Sequence, residues 1–155
     1  MRRMYSEKQI QEFVKNTKKD IATLVDSNGH ERFIEGDITI EATTGFTQKY
    51  GKWSLSGTHL MIVLSCEVAS GTAVSGGLLA NLDSIPQWIK TKMSPIFSNI
   101  IVYKTFNMYG SDWTTQSIDI GLRKPSDNQL RLHIENTPTL TATRNFRAEL
   151  DLLID

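Results

Sequence analysis

Gln116-Ser-Ile-Asp-Ile-Gly-Leu-Arg123, then Lys124-Pro-Ser-Asp-Asn128, then Gln129-Leu-Arg-Leu-His-Ile-Glu135 is the stretch on which the fold turns. Ile118, Ile120 and Leu122 recur at every second position and so share one face of an extended chain. Leu130, Leu132 and Ile134 repeat the pattern after a cluster of turn-forming residues. Two alternating segments around a polar turn make an antiparallel hairpin with one buried face.

The same rhythm runs outward in both directions. Phe146, Ala148, Leu150, Leu152 and Ile154 alternate against Arg147, Glu149 and Asp151, a half-buried strand. Ile100 to Phe106 is rich in β-branched and aromatic residues and predicts another. Asp37 to Thr43 predicts a strand with Ile38, Ile40 and Ala42 on one face, bounded by Gly36 and Gly45. Trp53 and Leu55 lead into a bend at Gly57, after which Leu60, Ile62, Leu64, Cys66 and Val68 form the inner face of a central strand. Residues 84–94 interrupt the pattern: Ser84 as cap, Pro86 just inside and Pro95 beyond predict one or two helical turns. At least six strands joined by polar turns predict a mainly β fold, an antiparallel β-sandwich or jelly roll.

The N-terminal segment has a different period. Ser6 and Gln9 form a capping box, with Tyr5 stapled onto Ile10. Ile10, Phe13, Val14, Ile21 and Leu24 then follow helical spacing, with Thr17 filling the gap, until Asp26-Ser-Asn-Gly29 stops the helix. So narrow a stripe either packs on its own domain or pairs with copies of itself as an oligomerisation stalk. The expected division is residues 1–29, an N-terminal α-helix, and residues 30–155, the antiparallel β domain.

Composition narrows the function classes. The 155 residues are 39% hydrophobic and 22% charged, enough for one domain with a proper core. Seventeen basic residues balance seventeen acidic ones, so no strong field draws the chain to nucleic acid. Lys15, Lys18 and Lys19 read as the solvated face of the helix. The dense apolar runs Leu60 to Leu64 and Leu150 to Ile154 are far shorter than the roughly 20 residues of a membrane span, so no membrane insertion is expected. Polar Tyr5-Ser-Glu-Lys-Gln9 follows the basic start where a signal peptide would place an apolar run.

Candidate chemistry is sparse. A lone cysteine, Cys66, allows neither an intrachain disulfide nor a thiolate cluster. His59 and Cys66 have opposite strand parity and lie roughly 23 Å apart at ~3.3 Å per residue, so they form no catalytic dyad. His30 follows the Asn28-Gly29 turn, His133 has the outward parity of its hairpin, and the three histidines show no metal-ligand spacing. Ser54-Leu-Ser-Gly57 lacks the first glycine of a nucleophile elbow. Gly71 to Gly77 lacks the lysine of a phosphate loop and reads as a turn. Neither a catalytic residue nor a metal ligand is assigned, and no cofactor is expected.

Aromatic residues in loops are the better lead. Asn107-Met-Tyr-Gly-Ser-Asp-Trp-Thr-Thr115 reads as a loop between strands and combines Tyr109 and Trp113 with Asn107 and Asp112. An exposed ring packs against the apolar face of a sugar while amide and carboxylate groups bind its hydroxyls. The alternative is that Tyr109 and Trp113 close the end of the core. Gly45 to Gly51, with Phe46 and Tyr50, reads as a second aromatic loop, and Trp53 and Trp88 as core anchors.

Lys52-Trp-Ser-Leu-Ser-Gly-Thr-His-Leu-Met-Ile-Val-Leu64, Ile85-Pro-Gln-Trp-Ile89, Lys124-Pro-Ser126 and Phe146-Arg-Ala-Glu-Leu-Asp-Leu-Leu-Ile154 together resemble small structural proteins of phages and prophages of Gram-positive bacteria. The resemblance runs from about Tyr50 onward and resides in core and turn positions, so it carries over no binding residue. It implies a tail or baseplate component with a tumour-necrosis-factor-like β head on an N-terminal helix, often a homotrimer. It also implies other virion proteins as partners, attachment to a host cell-wall saccharide, and a place in the virion after synthesis in the bacterial cytoplasm. A stand-alone carbohydrate-binding module is the second reading; a small hydrolase or isomerase with a site built across strands is the third.

Overall fold

The structure is a computed structural model that describes residues 6–24, 33–41, 45–72, 77–112, 114–136 and 138–154. Helix α1 (Glu7–Leu24) comes first, followed by strands β1 (Phe33–Asp37), β2 (Phe46–Ser56), β3 (His59–Val68) and β4 (Gly77–Asn81). A short helix α2 (Gln87–Thr91) precedes β5 (Ile100–Gly110), β6 (Thr115–Ser126), β7 (Gln129–Asn136) and β8 (Arg144–Leu153). All ladders are antiparallel, in the order β1-β2-β3-β8-β5-β6-β7-β4. The mainly antiparallel β fold behind an N-terminal helix is therefore the one expected.

The helix begins as its capping box dictates. The Gln9 amide donates to Ser6 Oγ at 3.2 Å, and Gln9 Oε1 accepts from the Ser6 amide at 2.9 Å. Ile10 and Val14 are 52% and 42% exposed, so the β domain does not cover this part of the stripe. Tyr5 and the Asp26-to-Gly29 stop lie outside the described residues.

The sheet is continuous but folds back on itself at a narrow junction. β8 and β5 share three residue pairs, Met108 with Phe146, Tyr109 with Asn145, and Gly110 with Arg144. Beyond them β8 stays with β3 as far as Leu153, and β5 stays with β6 as far as Ile100. The result is two layers, β1-β2-β3-β8 and β5-β6-β7-β4, whose inner faces bury one another. Leu60, Ile62, Leu64 and Cys66 from the first meet Ile118, Ile120, Leu132 and Ile134 from the second in one core. His59 points the other way and meets Asp151, as the parity argument requires.

The opposite rim is closed by chain that the sequence misreads. Ile38 and Ile40 do turn inward, but the strand expected over residues 37–43 is not there: β1 ends at Asp37, and Ala42 and Thr43 lie outside the described residues. The backbone of Ile38 to Glu41 is satisfied by other means. Ile38 N donates to Gly51 O at 3.0 Å, and the Gln48 amide accepts from Ile40 N and donates to Ile38 O. Glu41 N then donates to Leu79 O of β4 at 2.8 Å, joining the two layers. Gly51 is required here, because a Cβ would sit 2.4 Å from Ile38 O. Alternating burial needs only an extended chain, not a ladder, which is why periodicity overreads this segment.

Other boundaries also move. Gly45 to Gly51, expected as a loop, is mostly the start of β2, with a bulge between Gln48 and Tyr50. Phe46 is buried edge-on against Phe146 at 6.4 Å. β6 runs through Lys124 and Pro125 to Ser126, so the turn shrinks to Asp127 and Asn128; the register shift between Arg123 and Ser126 accommodates the proline. Pro86 stands at the N-cap of α2 rather than inside it, and Ser84 does not cap. Ser84 Oγ instead accepts from Trp53 Nε1 at 2.9 Å and donates to Asp37 O at 2.7 Å. Trp53 is the core anchor expected, whereas Trp88 is half-buried. His133 is also half-buried rather than solvent-facing, because arginines and a glutamate crowd the same face. Of the turn expected at 71–77, residues 73–76 lie outside the described residues and Gly77 opens β4.

Candidate functional site

The junction that folds the sheet also opens it. Where β5 parts from β8, a groove of about 400 Å³ is lined by Ser65, Thr105, Phe106, Asn107, Tyr109, Asn145, Phe146 and Arg147. Its buried rings are Phe106 and Phe146, 8% and 2% exposed, while Tyr109 is 62% exposed. Asn107 Nδ2 donates to the Tyr109 hydroxyl at 3.5 Å. Arg147 lies over the Tyr50 ring at 6.0 Å and pairs with Glu149. Lys104 sits further along the seam, its Nζ donating to Glu149 O at 3.2 Å and lying 5.3 Å from the Phe106 ring centre. It binds a strand carbonyl that β5, having parted from β8, does not reach.

The groove offers amides, hydroxyls, a guanidinium and an exposed aromatic ring. Its lining contains no carboxylate, imidazole or thiol, and hence no conventional acid–base pair. Among the described residues, no group of three or more His, Cys, Asp or Glu side chains could hold a metal ion. Cys66 is fully buried, and burial pushes its thiol up to about 12, far from the thiolate that nucleophilic chemistry needs. His59 and Asp151 are 3.3 Å apart on the exposed face of the β3–β8 pair and do not line the groove. No described helix is long and apolar enough to cross a membrane.

Of the four residues singled out from the sequence, Asn107 and Tyr109 meet in the groove. They stand on β5 itself, since the loop is only 111–114 rather than 107–115. Asp112 is engaged elsewhere. Its Oδ1 accepts from Thr114 N at 3.2 Å and Arg144 Nη1 at 3.1 Å, and its Oδ2 from Thr114 Oγ1 at 2.9 Å and Arg144 Nη2 at 2.8 Å. Those four bonds use the acceptor positions of a carboxylate. The Thr114 hydroxyl first, then the Thr114 amide and the Arg144 guanidinium, hold the Asp112 carboxyl below the usual carboxylate range. Trp113 and His30 lie outside the described residues.

Sequence reading missed Ser65, Thr105, Asn145 and Arg147. Each has the outward parity of its strand, which every second strand residue shares and which singles none of them out. What brings them together is the pairing of Ser65 with Arg147 and of Asn145 with Tyr109, between residues distant in the chain.

No family model matches the chain, and no curated protein matches it. Solved structures do. The head protein of the bovine atadenovirus type 4 fibre aligns at a TM-score of 0.43 and 11% identity, over 76% of this chain and 97% of its own. The fibre head domain of porcine adenovirus type 4 gives 0.47 and 13%, over 76% and 91%. The reovirus attachment protein sigma1, solved with α-2,3-sialyllactose, gives 0.45 and 8%, over 84% and 73%. These are likenesses of architecture to viral fibre-head and attachment proteins.

Proposed function

We propose that the chain is a non-enzymatic structural protein of a phage or prophage tail or baseplate, whose β head attaches the particle to a host cell-wall saccharide. The observation that carries this reading is the seam groove, where the exposed Tyr109 ring stands beside the Asn107 and Asn145 amides and the Arg147 guanidinium. A ring for the apolar face of a pyranose and convergent donors for its hydroxyls are what a saccharide site needs. Asp112 serves this site indirectly, by tying Thr114 and Arg144 together next to the end of β5.

Helix α1 is the stalk in this reading. Its exposed Ile10 and Val14 fit a self-associating seam, so the particle form is a homotrimer held to other virion proteins.

Binding of the purified chain to a glycan array and to Gram-positive cell walls tests the head. Tyr109→Ala and Asn107→Ala should each weaken retention while leaving the melting temperature unchanged. Equal retention by both variants would remove the groove as the site. Light scattering tests the stalk: a monomer at micromolar concentration would exclude the trimer and favour a stand-alone carbohydrate-binding module.

A further inference from the structure

The outer face of the β5-β6-β7-β4 layer, remote in function from the seam groove, carries a charge arrangement that the fold does not explain. Arg123 of β6 and Arg131 of β7 are direct partners across the ladder. Like charges at directly opposed positions destabilise a sheet. Arg123 is answered: its Nε and Nη2 donate to the two oxygens of Glu135 at 2.7 and 2.6 Å, and its Nη1 donates to Asn99 Oδ1 at 3.3 Å. The glutamate reaches over Gly121, where a Cβ would fall 2.2 Å from Glu135 Oε1. Arg131 is not answered. Its Nε is buried, and it is the one buried side-chain nitrogen or oxygen without a hydrogen-bond partner among the described residues.

The surroundings are consistent with a positive field. His133, two residues further along β7 on the same face, has its proton affinity lowered by burial first and then by Arg123 and Arg131, against an opposing pull from Glu135. The neighbouring acids have other partners: Glu135 pairs with Arg123, Asp119 accepts from the Thr105 hydroxyl at 2.6 Å, and Glu41 accepts from the Asn81 amide at 2.7 Å. A guanidinium has five donors in a planar fork that matches a carboxylate or phosphate edge. Leaving the buried Nε of Arg131 unpaired is costly, and no described carboxylate pairs with the guanidinium.

We propose that this face is an oxyanion-binding site, in which Arg131 grips a carboxylate or phosphate group through its free guanidinium and Arg123 and His133 flank it. The group is either a free ion or part of a larger ligand such as an acidic sugar. The site is independent of the seam groove, which lies at the β5–β8 side of the same layer.

Titration of the full chain with inorganic phosphate and, separately, with glucuronate, against sodium chloride of equal ionic strength, tests the site. The Arg131 Nε–Hε resonance should shift and saturate with one or both oxyanions and not with chloride. Saturation by phosphate alone assigns a free ion or phosphate ester, and saturation by glucuronate a sugar carboxylate; either supports the proposal. Arg131→Gln should weaken the apparent affinity by about tenfold or more, the loss expected for a charge-assisted pair, whereas Tyr109→Ala should leave it unchanged. In chloride buffer Arg131→Gln should melt at or above the wild-type temperature, because it removes the opposed charge. No saturable shift, equal affinity in Arg131→Gln, or a variant that melts well below wild type would each overturn the proposal.

Discussion

Arg144, 0% exposed, grips both carboxylate oxygens of Asp112 at 3.1 and 2.8 Å, and it does so from the last of the three residue pairs that join β5 to β8. Its Nε donates to Gln116 Oε1 at 2.6 Å, and its remaining donors reach the carbonyl and hydroxyl of Thr114. One guanidinium thus fastens the β5–β6 turn to the start of β8.

The Thr114 hydroxyl first, and this pairing with it, make stability acid-sensitive. The Asp112 carboxyl titrates lower in the folded chain than in the unfolded one, so the unfolded chain takes up its proton first as the pH drops. Its contribution is complete above the unfolded value of about 3.9, and fades as the pH falls through the lower folded value. Melting temperature followed from pH 6 to pH 2 should show a steeper acid limb for the wild type than for Asp112→Asn. Asp112→Asn should also melt lower at neutral pH, since the Arg144 charge stays buried with a weaker partner. Coincident acid limbs would show that the pair does not couple to folding.

Cys66 should behave as wall rather than as chemistry. With the thiol pushed up to about 12 and no exposed surface, alkylation by iodoacetamide should be slow in the native protein and fast in denaturant. Cys66→Ser puts a hydroxyl among apolar neighbours and should cost about 1–3 kcal/mol in denaturant titrations. Fast native labelling would contradict this burial.

Gly51→Ala tests the closure of the rim. The added methyl would stand 2.4 Å from Ile38 O and 2.7 Å from the Gln48 amide, so Ile38 to Glu41 must shift. A loss of about 1–3 kcal/mol is expected from such overpacking. Gly71→Ala is the comparison: nothing lies within 4 Å of its Cβ, and any cost there comes from the positive φ of 78° alone.

Ser84→Ala removes the hydroxyl between Trp53 Nε1 and Asp37 O. The indole N–H, on a side chain only 3% exposed, loses its acceptor, and a loss of about 1–3 kcal/mol should follow. Trp53 fluorescence should shift as well, separating a local effect from a global one.

Legibility in the sequence followed the range of each interaction. The β6–β7 hairpin, the inner face from Leu60 to Val68 and the Ser6–Gln9 cap are set by neighbours in the chain, and the period exposes them. Ile38 to Glu41 misled because inward alternation persists where the ladder partner has been replaced by the Gln48 amide. Asn107 and Tyr109 could be singled out as aromatic and amide groups near a turn. Arg147 and Asn145 could not, because their role arises only when β8 meets β5, a strand distant in the chain. Asp112 looked free for the same reason: its partner, Arg144, lies on β8.

The bond from Glu41 to Leu79 also covers part of a sheet border. Sheet proteins form fibrils by adding strands to unpaired borders. Glu41 already occupies part of the β4 border, and the β1 border is five residues long, with acidic Glu35 and Asp37 among them. Little template is left for another chain to extend.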